Sequence, residues 1–398
     1  MNREDFPILE NNPNLVYFDN GATTLKPKCL SDATTEYYEK YSANAHRGDY
    51  GISLKVDMAF EGVREAVAKF INAETNEIIF TSGSTESLNL VAFGYFKNRL
   101  NSNDEVLISY AEHASNVLPW FRIQSETGCK VNFIPLDDTE HITLENVKKS
   151  ITENTKVISL AHITNVIGDI RPIKEIVEYA HSKNILVVVD GAQSVPHIKT
   201  DVKDLDVDFL AFSAHKMMGP TGVGVLYGKY DLLKGMVPLM YGGGMNEKFD
   251  SPDCVELKDV PTRFEAGTPN IAGVIGFGAV LKYINNIGIE NIYKHEVELK
   301  NYMIDKLKDI PHVNIISNSD SGIVTFNVEG IFPQDVAVFL DKYNICVRAG
   351  NHCAKILKNE TKVNNTVRAS LYMYNTQKEV DKFVDLLRDK DKIIREMI

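Results

Sequence analysis

Phe209-Leu210-Ala211-Phe212-Ser213-Ala214-His215-Lys216 is a short apolar run that ends in a polar turn carrying a lysine. Upstream, Ile185-Leu186-Val187-Val188-Val189-Asp190 has the same form and ends in an aspartate. Continuous apolar runs of this length, bounded by polar residues, are typical of strands buried in a parallel sheet. Because open α/β sheets bind ligands at the carboxyl ends of their strands, we expect Lys216 and Asp190 to face one ligand.

A lysine and a carboxylate placed in this way fit one cofactor, pyridoxal 5'-phosphate (PLP). PLP needs a lysine that forms a Schiff base with it and an acidic residue that holds its pyridinium nitrogen. Most lysines are solvated surface charges. Lys216, however, follows a strand and precedes Gly219-Pro220-Thr221-Gly222, which is a poor place for a merely solubilising residue. We therefore expect Lys216 and Asp190 to bind PLP.

The length and composition of the chain limit the classes of protein to which it can belong. At 398 residues it exceeds one ordinary core, so two domains are expected, and 44% hydrophobic with 24% charged residues fits a soluble globular protein. A net charge of −11 gives no support for a nucleic-acid partner or for binding to an anionic membrane surface. The first seven residues lack the apolar core of a signal peptide, and no run is long enough to span a bilayer.

The cysteines indicate a reducing compartment. There are five of them, an odd number, scattered along the chain without a C-x-x-C pair: Cys29, Cys129, Cys254, Cys346 and Cys353. This pattern argues against a disulfide framework and against a structural zinc site. We expect a cytoplasmic protein without a metal centre, in which at least one thiol is free for chemistry.

The order of the apolar patterns predicts the large domain. Between about residues 57 and 230, helical and strand patterns alternate, which is typical of a largely parallel sheet covered by helices. The strand-like runs are residues 77–81, 105–109, 131–134, 156–160, 185–189, 209–212 and 223–227. We therefore predict an α/β fold with a mostly parallel seven-stranded sheet.

The domain boundary is predicted from the helical patterns and from the change in pattern that follows the second of them. Residues 57–71 show a one-faced helix, and residues 269–287 look like a long apolar helix that opens with proline. We expect a large PLP-binding domain over residues 15–282 and a small α+β domain over residues 283–398, joined by residues 1–14. The small domain's predicted elements are strands at 322–328, 345–348 and 367–371 and an amphipathic helix from about residue 376.

A phosphate site is predicted after the first strand, at Thr81-Ser82-Gly83-Ser84-Thr85-Glu86-Ser87. Small hydroxyl residues and a glycine at a helix N-terminus supply donors and the positive end of the helix dipole. Taken alone, the stretch is better explained by Ser84 or Thr85 capping the helix, since such capping signals are common. Beside Asp190 and Lys216, phosphate binding by Ser84 and Thr85 becomes the better account.

Further polar residues follow predicted strands in the same way. His113 follows the strand at 105–109, where it would stack on a flat heteroaromatic ring and shuttle a proton, although a lone histidine is usually structural. Asn165 follows the strand at 156–160, and Gln193 lies three residues after Asp190. We assign these residues to the cofactor site together with the neighbours of the lysine, Ser213 and His215.

A second polar stretch, Arg348-Ala349-Gly350-Asn351-His352-Cys353-Ala354, carries a candidate nucleophile. Free cysteines are most often buried apolar fillers, but Cys353 lies in a polar loop beside positive neighbours, which favour the thiolate. Fifteen residues later, Arg368 lies within a strand-like run. It either binds a substrate carboxylate bidentately, which we prefer, or faces water from an edge strand.

These motifs resemble those of the group II cysteine desulfurases, in the class V aminotransferase branch of the fold-type I PLP enzymes. The resemblance runs nearly end to end, and the loop around Cys353 is its most discriminating motif. The matching stretches are residues 17–24, 45–48, 81–86, 112–113, 164–165, 190–193, 213–216, 263–269 and 348–354.

The resemblance implies a reaction and partners. It implies conversion of L-cysteine to L-alanine with sulfur left as a persulfide on Cys353, and delivery of that sulfur to an acceptor protein of an iron–sulfur assembly system. It implies a homodimer in which Thr268 helps to bind the phosphate across the interface. It also places His46 and Arg348 at the substrate, beside Arg368 and Asn165.

The chain departs from the family pattern at three places. Asn351 stands where a second histidine is common, Lys355-Ile356 replaces the usual sequence after the Cys-Ala pair, and Gln334 replaces a histidine that some relatives use with a zinc-bearing scaffold partner. These differences leave the sulfur acceptor open. Alternatives are another class V enzyme such as a transaminase, a selenocysteine lyase, and a PLP-binding interaction protein.

Overall fold

The computed structural model describes residues 2–45, 48–317, 320–361 and 364–397. Its centre is a seven-stranded sheet in the order β2-β8-β7-β6-β5-β3-β4, in which β8 alone runs against the other strands. The predicted mostly parallel seven-stranded sheet is therefore confirmed. The strands of the described chain are β1 Val16–Tyr17, β2 Ile78–Thr81, β3 Glu105–Ser109, β4 Lys130–Ile134, β5 Thr155–Ala161, β6 Leu186–Asp190, β7 Phe209–Ser213, β8 Gly224–Gly228, β9 Asn246–Ser251, β10 Cys254–Leu257, β11 Val313–Ile315, β12 Ile323–Val328, β13 Ile345–Cys346, β14 Arg348–Gly350 and β15 Thr366–Ser370.

Helices cover both faces of this sheet, and further helices pack on a smaller one. The short helix α4 continues directly as a π-helix over Leu90–Phe96. The α-helices are α1 Pro7–Asn11, α2 Lys28–Lys40, α3 Gly51–Ile71, α4 Ser84–Asn89, α5 Leu118–Thr127, α6 Leu144–Ser150, α7 Ile173–His181, α8 Val202–Leu205, α9 Tyr230–Lys234, α10 Ile271–Ile287, α11 Ile289–Lys308, α12 Pro333–Asp341, α13 Lys358–Thr361, α14 Gln377–Arg388 and α15 Lys390–Met397.

The continuous apolar runs form strands that are buried on both faces. In β7, Leu210 and Phe212 pack into the core shared with α2, α3, α7 and α10. Phe209 and Ala211 point to the opposite face, into the core shared with α5 and the π-helix. Side chains alternate across a strand, so a run without polar residues requires an apolar layer on each face. This burial fixes the register and leaves polar residues only at the strand ends.

The second part of the chain builds a smaller α+β unit. Its antiparallel sheet has the order β11-β12-β15-β14 and packs with α11, α12 and α14 around a core of its own. The chain before the large sheet also reaches this unit, because β1 pairs in parallel with β13 and Asp19 forms a bridge with Ser370. The small unit therefore contains the C-terminal part of the chain and also contacts the segment that precedes the large sheet.

The N-terminal segment does not divide between the two hydrophobic cores as the boundary at residue 15 predicts. Phe6 and Leu9 pack with the larger core, whereas Val16 and Phe18 pack with the smaller one. Helix α10 is almost wholly in the larger core, which extends to Ile292. The division at residues 15 and 283 therefore stays a proposal.

Three sequence-based element boundaries differ from the structure. The helix predicted from residue 57 begins at Gly51, because its first turns carry exposed apolar residues that hide the one-faced pattern. The helix predicted to open with proline begins at Ile271, since the Asn270 side chain accepts a hydrogen bond from the Gly273 N–H (3.0 Å) and caps it. The single strand predicted at 345–348 is two strands with different partners.

Within the described residues, no single helix is long and apolar enough to cross a membrane. The pair α10 and α11 meets the length and hydropathy requirement only when both helices are taken together, across a bend of 72°.

Candidate active site

The carboxyl ends of the parallel strands open into a cavity of about 480 Å³. Strands β2, β3, β5, β6 and β7 supply one wall of it, and the β14–β15 region of the small unit supplies the other. Twelve of the sequence-predicted residues line it: Ser84, Thr85, His113, Asn165, Asp190, Gln193, Ser213, His215, Lys216, Arg348, Cys353 and Arg368. The structure therefore brings together side chains that lie up to 284 positions apart (Ser84 to Arg368).

Asp190, which is buried, and Lys216, which is half-buried, are opposite charges that line this cavity together. Asp190 is 4% exposed, and its Oδ1 accepts a hydrogen bond from the Ala192 N–H at 3.0 Å. Burial raises the pKa of Asp190 to about 6, against the lowering effects of the Ala192 hydrogen bond and of Lys216. Burial lowers the pKa of Lys216 to about 8, and Asp190 opposes that shift. Each charge thus offsets part of the other's desolvation.

The turn after β2 is held to the turn after β7. The Ser84 N–H donates to Ser213 Oγ at 2.8 Å, and Ser213 Oγ donates to Ser84 Oγ at 3.0 Å. A Cβ on Gly224 would lie 2.3 Å from Gly83 Cα, so this close approach requires glycine. The backbone at the start of α4 therefore faces the cavity at a fixed position.

The capping alternative for Ser84 and Thr85 is wrong. The N-cap of α4 is Gly83, and no side chain caps the helix there. Ser84 and Thr85 lie in the first helical turn, with Thr85 Oγ1 at 2.7 Å from Ser115 Oγ. Their N–H groups lie at the positive end of a helix, which is the arrangement that holds a phosphate.

His113 is neutral at pH 7, and one of its ring nitrogens is engaged in a hydrogen bond. Burial, together with the positive charges of Lys216 and Arg368, lowers its pKa to about 4. Its Nδ1 accepts a hydrogen bond from the Ser115 N–H at 3.1 Å. The ring proton therefore lies on Nε2, and His113 faces the cavity as a flat ring that donates a hydrogen bond.

A buried ion pair supports the strand ends beneath His113. The Glu112 and Arg171 side chains are both fully buried and paired with each other. Glu112 also accepts hydrogen bonds from Asn116 Nδ2 and from the Ala161 N–H, each at 2.8 Å. Removing one partner of such a pair typically costs about 3–5 kcal/mol of stability, because the other charge is left buried alone. The pair therefore fixes the ends of β3 and β5 relative to each other.

Arg368 lies on β15, an interior strand of the small sheet, and is 2% exposed. The alternative of an edge-strand arginine facing water is therefore wrong. Its Nη1 donates to the Asn165 carbonyl oxygen at 2.8 Å, and its Nη2 donates to Asp19 Oδ1 at 3.2 Å. Arg348 also bonds Asp19, but its side chain is 49% exposed. Of the two arginines, Arg368 presents the desolvated guanidinium.

Several buried polar atoms in the cavity wall have no partner within the described parts of the chain. They are Asn165 Oδ1, Gln193 Oε1, His352 Nδ1 and Arg368 Nε. Buried polar atoms are normally satisfied, so these atoms indicate a polar ligand. Together with the Asp190–Lys216 pair and the helix N-terminus beside Ser84, they fit PLP and a bound amino acid.

Cys353 is the exposed thiol among the five free cysteines, and it lies at the wall of the cavity. His352 and Cys353 both have left-handed backbone conformations, with φ of 50° and 58°. The Ala114 N–H donates to the Cys353 carbonyl oxygen at 2.8 Å, and Asn165 Nδ2 donates to that of His352 at 2.6 Å. Two successive carbonyl groups thus hold the cysteine loop against the opposite domain.

Of the remaining predicted residues, His215 lines the cavity with a neutral side chain, whereas Thr268 is not among the residues that line it. Burial, with the charges of Lys216 and Lys26, lowers the pKa of His215 to about 4, so this side chain is neutral. Thr268 is exposed and does not line the cavity of its own chain. His46 lies outside the described residues.

Sequence reasoning missed several residues that hold the site. Asp19 bonds both arginines, Ser115 fixes His113, and the buried His352 lies at 2.8 Å (Nε2) from Thr366 Oγ1. Burial and the nearby arginines lower the pKa of His352 to about 3. Asp19 and His352 lie within stretches that were singled out, but their partners are distant in the sequence.

The chain is similar to known proteins along nearly its whole length. The family model described as aminotransferase class-V matches residues 16–383. A protein of Halalkalibacterium halodurans named probable cysteine desulfurase is 44% identical over 381 residues, covering 94% of each chain. The apo structure of cysteine desulfurase from Thermococcus onnurineus NA1 has a TM-score of 0.93 at 40% identity, covering 97% of this chain and 96% of that chain. The cysteine desulfurase CsdA from Escherichia coli has a TM-score of 0.92 at 36% identity, covering 100% and 98%.

The lowered pKa of Lys216 predicts the pH dependence of cofactor capture by the apoprotein. Because the neutral amine reacts, the capture rate should rise with pH and level off above about 8. At pH 7 roughly a tenth of such an amine is neutral, against about one part in three thousand at an ordinary lysine pKa. Stopped-flow absorbance after addition of PLP measures the rate.

The control for this experiment is Asp190→Asn. The Asp190 carboxylate raises the pKa of Lys216, so its loss should move the midpoint of the profile to lower pH. A wild-type midpoint near pH 10 would contradict the desolvated environment of Lys216.

Proposed function

This chain belongs to the class-V aminotransferase family, among its cysteine desulfurases, and we propose that it collects the sulfur of L-cysteine on Cys353. L-Cysteine loses its Cβ–S bond, the sulfur forms a persulfide with the Cys353 thiolate, and L-alanine leaves. The observation that carries the assignment is the position of Cys353, an exposed thiol at the wall of the cavity that holds Lys216 and Asp190.

PLP is the cofactor, and when bound it withdraws electrons from the Cα atom of an amino acid. Asp190 would hold the pyridinium nitrogen, since its carboxyl is buried in the cavity wall and, within the described residues, only its Oδ1 forms a hydrogen bond, with the Ala192 N–H. Ser84, Thr85 and Ser213 would hold the phosphate. The Lys216 amine, with its pKa lowered to about 8, would bind the cofactor and later move the Cα proton.

The substrate carboxylate would lie against Arg368, whose Nε is buried without a partner within the described residues. The Asn165 side-chain oxygen is likewise buried and unpartnered there, and as an acceptor it would face a donor of the bound amino acid or cofactor rather than the carboxylate. The Arg368 Nη1 bond to the Asn165 carbonyl fixes the two residues relative to each other. Such a clamp would orient the Cα–H bond before proton removal. Arg348 would have a secondary role at the exposed rim.

His113 would stack on the cofactor ring and donate from Nε2. Its Nδ1 is engaged by the Ser115 N–H, so the ring is better placed to donate a hydrogen bond than to accept the substrate thiol proton. Its neutral state at pH 7 avoids a third positive charge beside Lys216 and Arg368. Gln193 and His215 would complete the cofactor contacts.

We propose a homodimer for the assembled enzyme. An exposed apolar segment, residues 239–241, has Leu239 at 44%, Met240 at 54% and Tyr241 at 63% exposure. The segment lies beside Thr268, because the Gly267 N–H donates to the Gly243 carbonyl oxygen at 2.8 Å. A second copy covering this surface would bury the apolar side chains and bring Thr268 toward its phosphate.

The persulfide would pass to an acceptor protein of an iron–sulfur assembly system. The exposure of Cys353 supports such a transfer, since an acceptor thiol must reach the outer sulfur atom. Five free cysteines support a reducing, cytoplasmic location for this protein.

The assignment of Cys353 predicts where the sulfur remains. L-Cysteine added without reductant should leave one extra sulfur atom on the Cys353 peptide, and turnover should then stall until a thiol removes it. Peptide mass spectrometry locates the added sulfur. Cys346→Ser is the matched control and should behave as the wild type. Full alanine production by Cys353→Ser would overturn Cys353 as the nucleophile, whereas transamination that survives in Cys353→Ser without alanine production would indicate another class V reaction.

Arg368→Ala should weaken use of L-cysteine more than binding of PLP. Loss of a charged hydrogen bond costs about 1.5–3 kcal/mol, so kcat/KM should fall at least about tenfold. Steady-state alanine production and cofactor absorbance measure the two effects separately. Arg388→Ala, on the half-exposed face of α14, should change neither quantity. Unchanged kcat/KM in Arg368→Ala would remove Arg368 from the substrate site.

The dimer proposal predicts the effect of a charge in the apolar segment. Tyr241→Asp should convert the protein to a monomer and weaken PLP binding, because Thr268 of the second copy is lost from the site. Sedimentation velocity gives the assembly state. Phe332→Asp places the same charge at another exposed aromatic residue, 54% exposed, and should leave the dimer intact. A monomeric wild type would overturn the proposal.

A further inference from the structure

Two backbone groups in the turn that carries Lys216 form no hydrogen bond within that turn. Ala214–Lys216 is a single 3₁₀ turn, closed by hydrogen bonds from the Met217 and Gly219 N–H groups to the Ala214 carbonyl oxygen. Met218 has a left-handed conformation, with φ of 64°. The His215 carbonyl and the Met218 N–H, on either side of Lys216, need partners from outside the turn.

Thr24 satisfies both of these groups. Its N–H and its hydroxyl donate to the His215 carbonyl oxygen, each at 3.1 Å. Its Oγ1 in turn accepts a hydrogen bond from the Met218 N–H at 2.7 Å. Thr24 is 2% exposed, so water does not compete for these bonds. One hydroxyl therefore joins the two ends of the turn around Lys216.

The His215 carbonyl oxygen receives further donors from the same segment. Thr23 Oγ1 donates to it at 3.0 Å, and Lys26 Nζ donates at 2.8 Å. A carbonyl oxygen has two lone pairs, so four donors exceed what one such group normally accepts. The ammonium is the strongest of them, because its hydrogen bond is charge-assisted. Burial lowers the pKa of Lys26 to about 7, so its charge is partly lost near neutrality.

The segment that carries Thr24 is itself fixed to the rest of the site. Gln193 Nε2 donates to the Gly21 carbonyl oxygen at 2.7 Å, and the Leu25 N–H donates to Tyr374 Oη at 2.8 Å. A Cβ on Gly21 would lie 3.1 Å from Arg368 Cζ, so the backbone runs close against the guanidinium. The segment therefore has little freedom to follow a displaced lysine turn.

We propose that Thr24 and Lys26 are positioning residues for Lys216, which aim its amine at the cofactor by holding the His215 carbonyl and the Met218 N–H. This inference rests on the role proposed for Lys216. Neither Thr24 nor Lys26 is among the residues that line the cavity, so they act through the backbone that carries Lys216. Because amine placement within about an ångström affects rates by up to about a hundredfold, their loss acts on rates more than on affinity for L-cysteine.

The test compares Thr24→Val with Thr24→Ser. Valine keeps the shape and removes the hydroxyl, whereas serine restores the hydroxyl. In Thr24→Val, PLP capture by the apoprotein and kcat should each fall at least about tenfold, with KM for L-cysteine within about twofold of the wild type. Stopped-flow absorbance, the visible circular dichroism of the bound cofactor and the apoprotein Tm are measured together. Thr24→Ser should recover capture to within about threefold.

The matched control is Thr34→Val, where the lost hydroxyl donates to the Leu30 carbonyl within α2 at 2.9 Å. It should show wild-type capture and dichroism. Wild-type capture by a folded Thr24→Val overturns the proposal, and so does a failure of Thr24→Ser to restore capture at wild-type Tm. If Thr24→Val does not fold, Lys26→Met decides, since it leaves Thr24 in place: slowed capture at unchanged Tm supports the proposal and wild-type capture overturns it. A wild type that binds no PLP would instead overturn the proposed function.

Discussion

The placement of two opposite charges, Asp190 and Lys216, at the ends of neighbouring strands is the constraint on which the site depends. Two opposite charges share a desolvated cavity, where each lowers the cost of burying the other. Such a pair is stable only if the backbones of both residues are fixed, and the parallel sheet does this by ending β6 and β7 side by side. The Glu112–Arg171 ion pair fixes the neighbouring strand ends in the same way. The apolar interior of the sheet therefore fixes the positions of the charged residues at its edge.

The small unit completes the site from the opposite side. It supplies Arg368 from an interior strand and Cys353 from a loop whose carbonyl groups are bonded to the large unit. The residues near Asp19 join the two units, since Asp19 bonds Arg368 and the neighbouring Asn20 donates to the Ser370 carbonyl oxygen at 2.6 Å. The distance between the cofactor lysine and the thiol is thus set by contacts between domains rather than by either domain alone.

The sequence predicts those features whose residues lie close together in the chain. The run from Phe209 to Phe212 alternates between two cores, and its polar end marks the site, so both the strand and Lys216 could be found. Thr24, Asp19 and the Glu112–Arg171 pair could not be identified in the same way, because their roles are defined by partners up to 349 positions away. Helix α3 begins earlier than predicted because its exposed Ile52 and Leu54 break the one-faced pattern.

The most direct test of the account is the site of covalent attachment of PLP. Borohydride reduction of the holoenzyme followed by peptide mass spectrometry identifies the lysine that holds the cofactor. Two lysines at this edge of the sheet have lowered pKa values, Lys216 at about 8 and Lys26 at about 7. The account predicts the reduced cofactor on the peptide that contains Lys216, with an unmodified Lys26 peptide. Attachment to Lys26, or to any other lysine, would contradict it.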